Sequence, residues 1–236
     1  MTSTRTIADR LAEVRCRIAD AARRSGRAPS DVTLIAVSKT FGADAVRAAH
    51  AAGQKDFGEN KVQEAEQKKA ATADLPDVAW HLIGHLQSNK VRRAAASFRT
   101  IHSVDSAELL ERLDRAAAEQ GTSPEILIQA DLAGEATKSG APEADVEGLA
   151  RAALGAAALR LVGLMLIPPW NENQEETRRW FVRLRSLRDR LLAAGIPAHA
   201  LQHLSMGMSH DFEAAIEEGA TMVRVGTAIF GSRATA

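Results

Sequence analysis

Apolar residues follow two patterns along this chain. Short continuous apolar runs are typical of strands buried on both faces, and they occur at residues 33–37, 56–58, 78–84, 100–104, 125–130, 161–167, 200–204 and 222–225. Between these eight runs, apolar residues recur every three or four positions, which predicts helices at residues 43–52, 61–73, 107–120, 144–157 and 175–194. Strands that alternate with helices in this way indicate a parallel sheet covered by helices.

A further helix is predicted ahead of the first strand. Its apolar positions share a helical spacing: Ile7, Leu11, Val14, Ile18 and Ala21. Gly26 stands where such a helix would end. Eight strand–helix units in 236 residues favour a closed barrel over an open doubly wound sheet, because such barrels typically have roughly 250 residues. We therefore predict one α/β domain over residues 1–236, a single (β/α)8 TIM-type barrel at 33–233 with an extra N-terminal helix within 1–26.

Charge and cysteine content narrow the class of partner. Lysine and arginine number 30, as do aspartate and glutamate, so the formal net charge is zero. Without a long block of one sign, we expect no nucleic-acid or membrane-surface partner but a small molecule. Cys16 is the only cysteine, which excludes an intrachain disulfide. No apolar stretch reaches the roughly 20 residues of a membrane span and no signal-peptide pattern opens the sequence, so we expect a cytoplasmic protein.

Lys39 is the first candidate for chemistry. It follows the apolar run at residues 33–37, so it is predicted to lie at the C-terminal end of the first strand. In a barrel this is the end that carries the active site. A partly desolvated amine there could condense with an aldehyde. The alternative interpretation of Lys39 alone is a solvated loop lysine.

Two loops are suited to an anion. Residues 205–209 follow the seventh predicted strand, with Ser209 a plausible N-cap of the next helix, and residues 224–227 follow the eighth. Phosphate commonly binds to these two loops in barrels of this kind. Gly226 permits a close backbone approach, and N–H groups at a helix start can bind phosphate without a lysine. Plain helix capping is the alternative for the serine-rich loop.

Ordered motifs across the chain match a known family. They are AVSKT at 36–40, FGEN at 57–60, WHLIG at 80–84, LQSNK at 86–90, HSVD at 102–105, KSG at 138–140, GLM at 163–165, SMGMSHD at 205–211 and RVGTAIFG at 224–231. Over almost its whole length the chain resembles the YggS/PROSC family of pyridoxal phosphate homeostasis proteins. The resemblance implies a fold type III barrel, like the alanine racemase N-terminal domain, that carries pyridoxal 5′-phosphate (PLP) as an internal aldimine. It also implies a role in PLP homeostasis and in the balance of amino and keto acids.

The resemblance also implies residue roles. Lys39 would form the Schiff base with PLP. The other cofactor-binding positions would be Asn60 beside the ring, Arg224 opposite the pyridine nitrogen, and Ser205, Gly226 and Thr227 at the phosphate. His81 and Met165 match family strands and could reach the pocket, but a core histidine bonded to backbone and a packing methionine are the favoured interpretations. His81 and His85 lie on a strand and its loop, which does not suit zinc, so no metal is predicted.

Two classes of function are open to a PLP-binding barrel. A non-catalytic PLP carrier, monomeric and able to supply apo PLP-dependent enzymes, is favoured. The main alternative is a PLP-dependent amino-acid racemase of low or specialised activity, which would need a second acid–base group on the face opposite the lysine. Related racemases supply a tyrosine there, and this sequence contains none. An aldolase-like lysine without cofactor is a third possibility, but it leaves both phosphate loops without a role.

Overall fold

The computed structural model describes residues 5–134 and 139–231. Its strands are β1 (Thr33–Val37), β2 (Asp56–Glu59), β3 (Ala79–Leu82), β4 (Thr100–Val104), β5 (Glu125–Asp131), β6 (Ala141–Pro142), β7 (Arg160–Met165), β8 (His203–Ser205) and β9 (Met222–Val225). Its helices are α1 (Ile7–Arg24), α2 (Ala43–Ala51), α3 (Val62–Ala71), α4 (Val91–Ser97), α5 (Ala107–Gln120), α6 (Val146–Leu154), α7 (Gln174–Ala193), α8 (Phe212–Glu217) and α9 (Thr227–Phe230).

Eight of these strands close into a parallel barrel, as predicted. The sheet runs β4-β3-β2-β1-β9-β8-β7-β5, and pairing of β4 with β5 completes the ring. Strand β6 stands outside the ring and pairs only with the end of β5, where Ala141 lies beside Ala130. Since every barrel strand is parallel to its neighbours, all eight C-terminal ends lie at one face, which is where a barrel binds its ligands.

Apolar packing occurs in two places. The larger layer lies between the outer face of the barrel and the helices, and includes Phe57, Leu82 and Phe181, all fully buried. A small second cluster fills part of the barrel interior with Ile35, Leu127, Val162, Met165 and Met222. Met165 is therefore a packing residue, and it does not line the ligand cavity described below.

The predicted N-terminal helix is present as α1. Thr6 begins it with a capping box, in which the Thr6 hydroxyl accepts from the Asp9 N–H and the Asp9 carboxylate accepts from the Thr6 N–H. Helix α1 packs against α8 and α9. Arg10 Nε donates to the carbonyl of Ile229 at 2.6 Å, so the first helix is bonded to the last described one.

One local prediction was wrong, and one helix was missed. Residues 198–201 form a 3-10 turn after Pro197, and the strand begins at His203 instead of residue 200. Proline fixes its own φ and commonly starts a helical turn, which explains the shift. Helix α4 was not predicted, although its buried Val91, Ala94 and Ala95 have helical spacing.

The domain limits at 1–26 and 33–233 stay a prediction, because their outermost residues, like Lys138 of the KSG motif, lie outside the described ranges. Among the described helices, none combines the length and apolarity of a membrane span.

Candidate functional site

A cavity of about 470 Å³ opens at the C-terminal ends of the strands. Five of the six predicted site residues line it together: Lys39, Asn60, Arg224, Gly226 and Thr227. The other lining residues are Val37, Ile83, Gly84, His85, Ile167, Trp170, Met208, Ser209 and His210. The barrel therefore brings one lysine, one buried arginine and the start of α9 to a common space.

Strand alternation places Lys39 in this cavity. Ile35 belongs to the inner cluster and Val37 lines the cavity, so Lys39, two residues further on, faces the same way. The next residue, Thr40, has a φ of 71°, a left-handed conformation that is uncommon for a threonine. The chain thus turns sharply immediately after the lysine, and backbone strain of this kind is often found at functional sites.

Asn60 directly follows β2 and lines the same cavity as Lys39. Val37 and Gly58 are register partners, so the ends of β1 and β2 lie side by side. Gly84 packs so closely on the Asn60 carbonyl that any Cβ at position 84 would collide with it. A glycine is therefore required there if the loop after β3 is to keep Asn60 in place.

A buried ionic network lies behind these two strand ends and was missed from the sequence. Glu59 is fully buried, and its Oε1 accepts from Ser38 Oγ at 2.6 Å and from Lys68 Nζ at 2.5 Å. Lys68 also donates to the carbonyl of Ser38 at 2.7 Å. Burial raises the pKa of Glu59, against the hydrogen bonds from Lys68 and Ser38, which lower it. The network ties α3 to the residues that precede Lys39 and Asn60.

Arg224 is held by two hydrogen bonds and is only 4% exposed. One terminal nitrogen donates to Ser205 Oγ at 2.6 Å, and the other donates to the carbonyl of Leu166 at 2.9 Å. Burial lowers the pKa of Arg224 to about 10, with Asp211 acting in the opposite direction. The guanidinium therefore remains charged at neutral pH.

The structure separates the two serines of the SMGMS loop. Ser205, expected at the phosphate, is fully buried and does not line the cavity, since its hydroxyl contacts Arg224 and His102. Ser209 lines the cavity instead, and its Oγ accepts from the N–H groups of Gly226 at 3.1 Å and Ala228 at 3.4 Å. Ser209 was also expected to cap α8, but the N-cap of that helix is Asp211.

His81 is a core histidine, as favoured, but the partners of its ring are side chains and not the expected backbone groups. Its Nε2 lies 3.0 Å from Asp56 Oδ1 and its Nδ1 lies 3.1 Å from His102 Nε2. His102 Nδ1 is in turn 2.9 Å from Ser205 Oγ. Burial lowers the pKa of His102 well below its usual 6.5, and His81 and Arg224 act in the same direction. His81 does not line the cavity itself.

The neutral state of His102 predicts a pH effect on stability. Below about pH 6.5 the unfolded chain binds a proton at this position that the folded chain does not, so folding stability falls as pH decreases. Asn at position 102 does not titrate, and the stability deficit of His102→Asn should therefore shrink by about 1 kcal/mol between about pH 7 and about pH 5.5. Urea unfolding of the wild-type protein and of His102→Asn at each pH measures this deficit. A deficit that does not change with pH would contradict a neutral His102.

The side chains present suit a phosphorylated aldehyde. The N–H groups of Gly226 and Ala228 both donate to Ser209 Oγ, and Ser209 and Gly226 line the cavity. Arg224 has further N–H donors beyond the two that are bonded, and it can donate but never accept. Lys39 supplies a primary amine in the same space. An anion, a ring nitrogen acceptor and an aldehyde could therefore be recognised together.

The fold and site define a class of protein, and sequence comparison agrees with it. The family model described as alanine racemase, N-terminal domain, matches residues 10–234. A pyridoxal phosphate homeostasis protein from Pseudomonas aeruginosa is 48% identical over 97% of this chain and 96% of its own length. One from Aquifex aeolicus is 42% identical over 95% of this chain and 97% of its own length. The chain belongs to the alanine racemase N-terminal domain family and, within it, to the pyridoxal phosphate homeostasis proteins.

Solved structures show the same relationship. PipY of Synechococcus elongatus with PLP bound is 45% identical, has a TM-score of 0.84, and is matched over 96% of this chain and 100% of its own. Alanine racemase from Streptomyces coelicolor is 25% identical with a TM-score of 0.68, over 94% of this chain and 59% of its own. The prediction of a single-barrel relative of alanine racemase is thus confirmed at the level of family and fold.

Proposed function

We propose that this protein binds PLP through Lys39 and acts in intracellular PLP homeostasis and amino and keto acid balance. The observation that carries the proposal is the joint placement of Lys39, Arg224, Gly226 and Thr227 around one cavity. The naming of relatives that are 42–48% identical and the PLP-bound PipY structure support it. Bound PLP would supply an aldehyde that takes up amines reversibly.

Each residue has a distinct part in this proposal. Lys39 would hold the aldehyde carbon covalently as a Schiff base, and Asn60 would contact the ring. The phosphate would replace Ser209 Oγ as the acceptor of the Gly226 and Ala228 N–H groups, in the way that helix starts bind anions, and the hydroxyls of Thr227 and Ser209 would donate to it. Ser209 thus replaces Ser205 in our assignment. Arg224 would donate to the ring nitrogen and keep it unprotonated, because arginine does not act as an acid at neutral pH.

A carrier function fits these residues better than racemisation. An unprotonated ring nitrogen weakens the cofactor as an electron sink, which raises the energy of a carbanion at Cα. The sequence contains no tyrosine to serve as the second acid–base group. We therefore propose a non-catalytic, single-domain, monomeric and cytoplasmic PLP carrier that can pass its cofactor to apo PLP-dependent enzymes.

Borohydride reduction of the PLP-loaded protein tests this function. We expect a mass gain of one phosphopyridoxyl group, mapped by peptide sequencing to Lys39, and loss of the Schiff-base absorbance in Lys39→Ala. Lys61→Ala is the matched control, because Lys61 also lies near the strand ends but its side chain is 70% exposed and paired with Glu64. An adduct mainly on Lys61 or Lys90 would refute the assignment.

The same loaded protein decides between carrier and racemase. Incubation with L-alanine in deuterated water should give no sustained formation of D-alanine, whereas an apo PLP-dependent enzyme added to it should gain activity. Many turnovers to D-alanine that disappear in Lys39→Ala would establish the racemase instead.

A further inference from the structure

A continuous line of polar side chains crosses the barrel interior. It begins at Arg224 by the cavity and passes through Ser205, His102 and His81 to Asp56, the first residue of β2. The four contacts measure 2.6, 2.9, 3.1 and 3.0 Å in that order. Since β2 starts at the opposite face of the barrel from the cavity, the line connects the two faces.

With both histidine rings neutral, the two ends of this line set the direction of every hydrogen bond. Arg224 can only donate, so Ser205 Oγ accepts from it and is free to donate its own proton to His102 Nδ1. His102 then carries its proton on Nε2 and donates it to His81 Nδ1. His81 likewise carries its proton on Nε2 and donates it to the Asp56 carboxylate, which can only accept.

We propose that Ser205, His102, His81 and Asp56 form a one-directional hydrogen-bond relay that positions Arg224 for the ring nitrogen of a bound pyridoxal compound. These four are positioning residues, because none of them lines the cavity. The inference rests on the proposed function for what Arg224 contacts. The relay itself is a property of the protein without cofactor.

Burial gives the relay its strength. His102 and Ser205 are fully buried, His81 is 2% exposed, and Arg224 is 4% exposed. A buried donor or acceptor that loses its partner has little access to water to replace it, so each bond in the line constrains the next. The lowered pKa of His102 agrees with a neutral ring that can accept from Ser205. Asp56 keeps the outer end partly open, with 31% of its side chain exposed.

The orientation of the Arg224 guanidinium is fixed by hydrogen bonds at both ends of its fork. Its two terminal nitrogens are bonded to Ser205 Oγ and to the carbonyl of Leu166. If Ser205 donated to Arg224 instead of accepting, that bond would not exist, because a guanidinium has no acceptor. A neutral His102 that accepts the serine proton fixes the orientation of the hydroxyl, so that a lone pair of Ser205 Oγ faces Arg224.

Nitrogen-15 NMR of the cofactor-free protein tests the relay directly. With histidine rings labelled, both His81 and His102 should be neutral with the proton on Nε2 at neutral pH. His50 is the internal control, because its ring contacts Asp77 Oδ1 at the surface and lies outside the relay. A protonated Nδ1 on His102, or a doubly protonated ring at either relay position, would overturn the proposal whether or not the protein binds PLP.

Ligand binding provides the second test, in a form that separates ring from phosphate contacts. Ser205→Ala and His102→Leu should lower the affinities for pyridoxal and for PLP by the same factor, roughly ten- to a hundred-fold, because the relay acts at the ring nitrogen that both ligands share. His102→Asn, which can still accept from Ser205, should recover part of the loss. His50→Leu should leave both affinities unchanged.

The outcomes of this second test are distinct. If Ser205→Ala binds PLP more weakly but binds pyridoxal with unchanged affinity, Ser205 contacts the phosphate and the relay is overturned. Wild-type affinity for PLP and pyridoxal in all relay variants would also overturn the relay. Absence of any PLP binding by the wild-type protein would refute the proposed function, while the NMR result would still decide the relay.

Discussion

Replacing Lys68 with methionine should lower the free energy of unfolding by about 3–5 kcal/mol, because the change leaves the Glu59 carboxylate buried without its cation. Glu59 is fully buried and Lys68 is 7% exposed, so water cannot compensate. Urea denaturation followed by circular dichroism measures the effect. Lys69→Met is the matched control, since this neighbouring lysine is exposed and should change stability by less than about 0.5 kcal/mol.

A double replacement distinguishes a lost ion pair from poor packing. Glu59→Leu combined with Lys68→Met removes both charges, and it should recover most of the stability that Lys68→Met alone loses. If the double variant is as unstable as the sum of the single variants, the two residues are not coupled and the buried pair does not account for the loss. A small effect of Lys68→Met alone would equally contradict the prediction.

Gly226→Val should weaken PLP binding by more than about a hundred-fold. A Cβ at this position would lie 3.3 Å from the carbonyl of Val37. The larger valine side chain would force the N–H groups of residues 226–228, here called the cradle, away from the phosphate. Thr227→Ala removes only one hydroxyl, so we expect a loss of about 1.5–3 kcal/mol, which is one to two decades of affinity. Equilibrium dialysis against PLP compares the three proteins.

Stability measurements control for a general folding defect. Gly148→Val is the matched variant, because no atom lies within 4 Å of a Cβ built there. It should retain wild-type affinity for PLP. Unchanged affinity in Gly226→Val and Thr227→Ala would show that the phosphate binds elsewhere, and an unfolding midpoint equal to wild type would confirm that the comparison is between folded proteins.

Much of the fold was predictable because each barrel strand can be recognised from the pattern of its own residues. Each buried strand is a short apolar run, and the helices between them have their own period, so eight units could be counted without knowledge of any contact. Lys39 and Gly226 were likewise predictable, since each stands directly after such a run. Helix α4 is the exception. Its stretch is rich in arginine and alanine, and only Val91 and two alanines mark its buried face.

The side-chain partners in and behind the site could not be predicted, because they depend on which strands and helices lie next to one another in the barrel. His81 was expected to bond to backbone, but the backbone groups of paired strands are already used in the sheet, so a buried ring needs a partner from another strand. The choice between Ser205 and Ser209 depends on where β8 ends, which one sequence does not fix. Lys68 pairs with Glu59 nine positions away, a spacing that carries no helical or strand signal.

The pairing of β1 with β9 has a consequence for biosynthesis. Lys39 is translated early, whereas the cradle at residues 226–228 emerges from the ribosome nearly two hundred residues later, and it reaches its place only when β9 joins β1. Arg10 on the first helix then bonds to Ile229. A nascent chain therefore exposes Lys39 before the residues that we propose to select for a phosphorylated ligand are in place, and we expect selective loading only after β9 has joined β1.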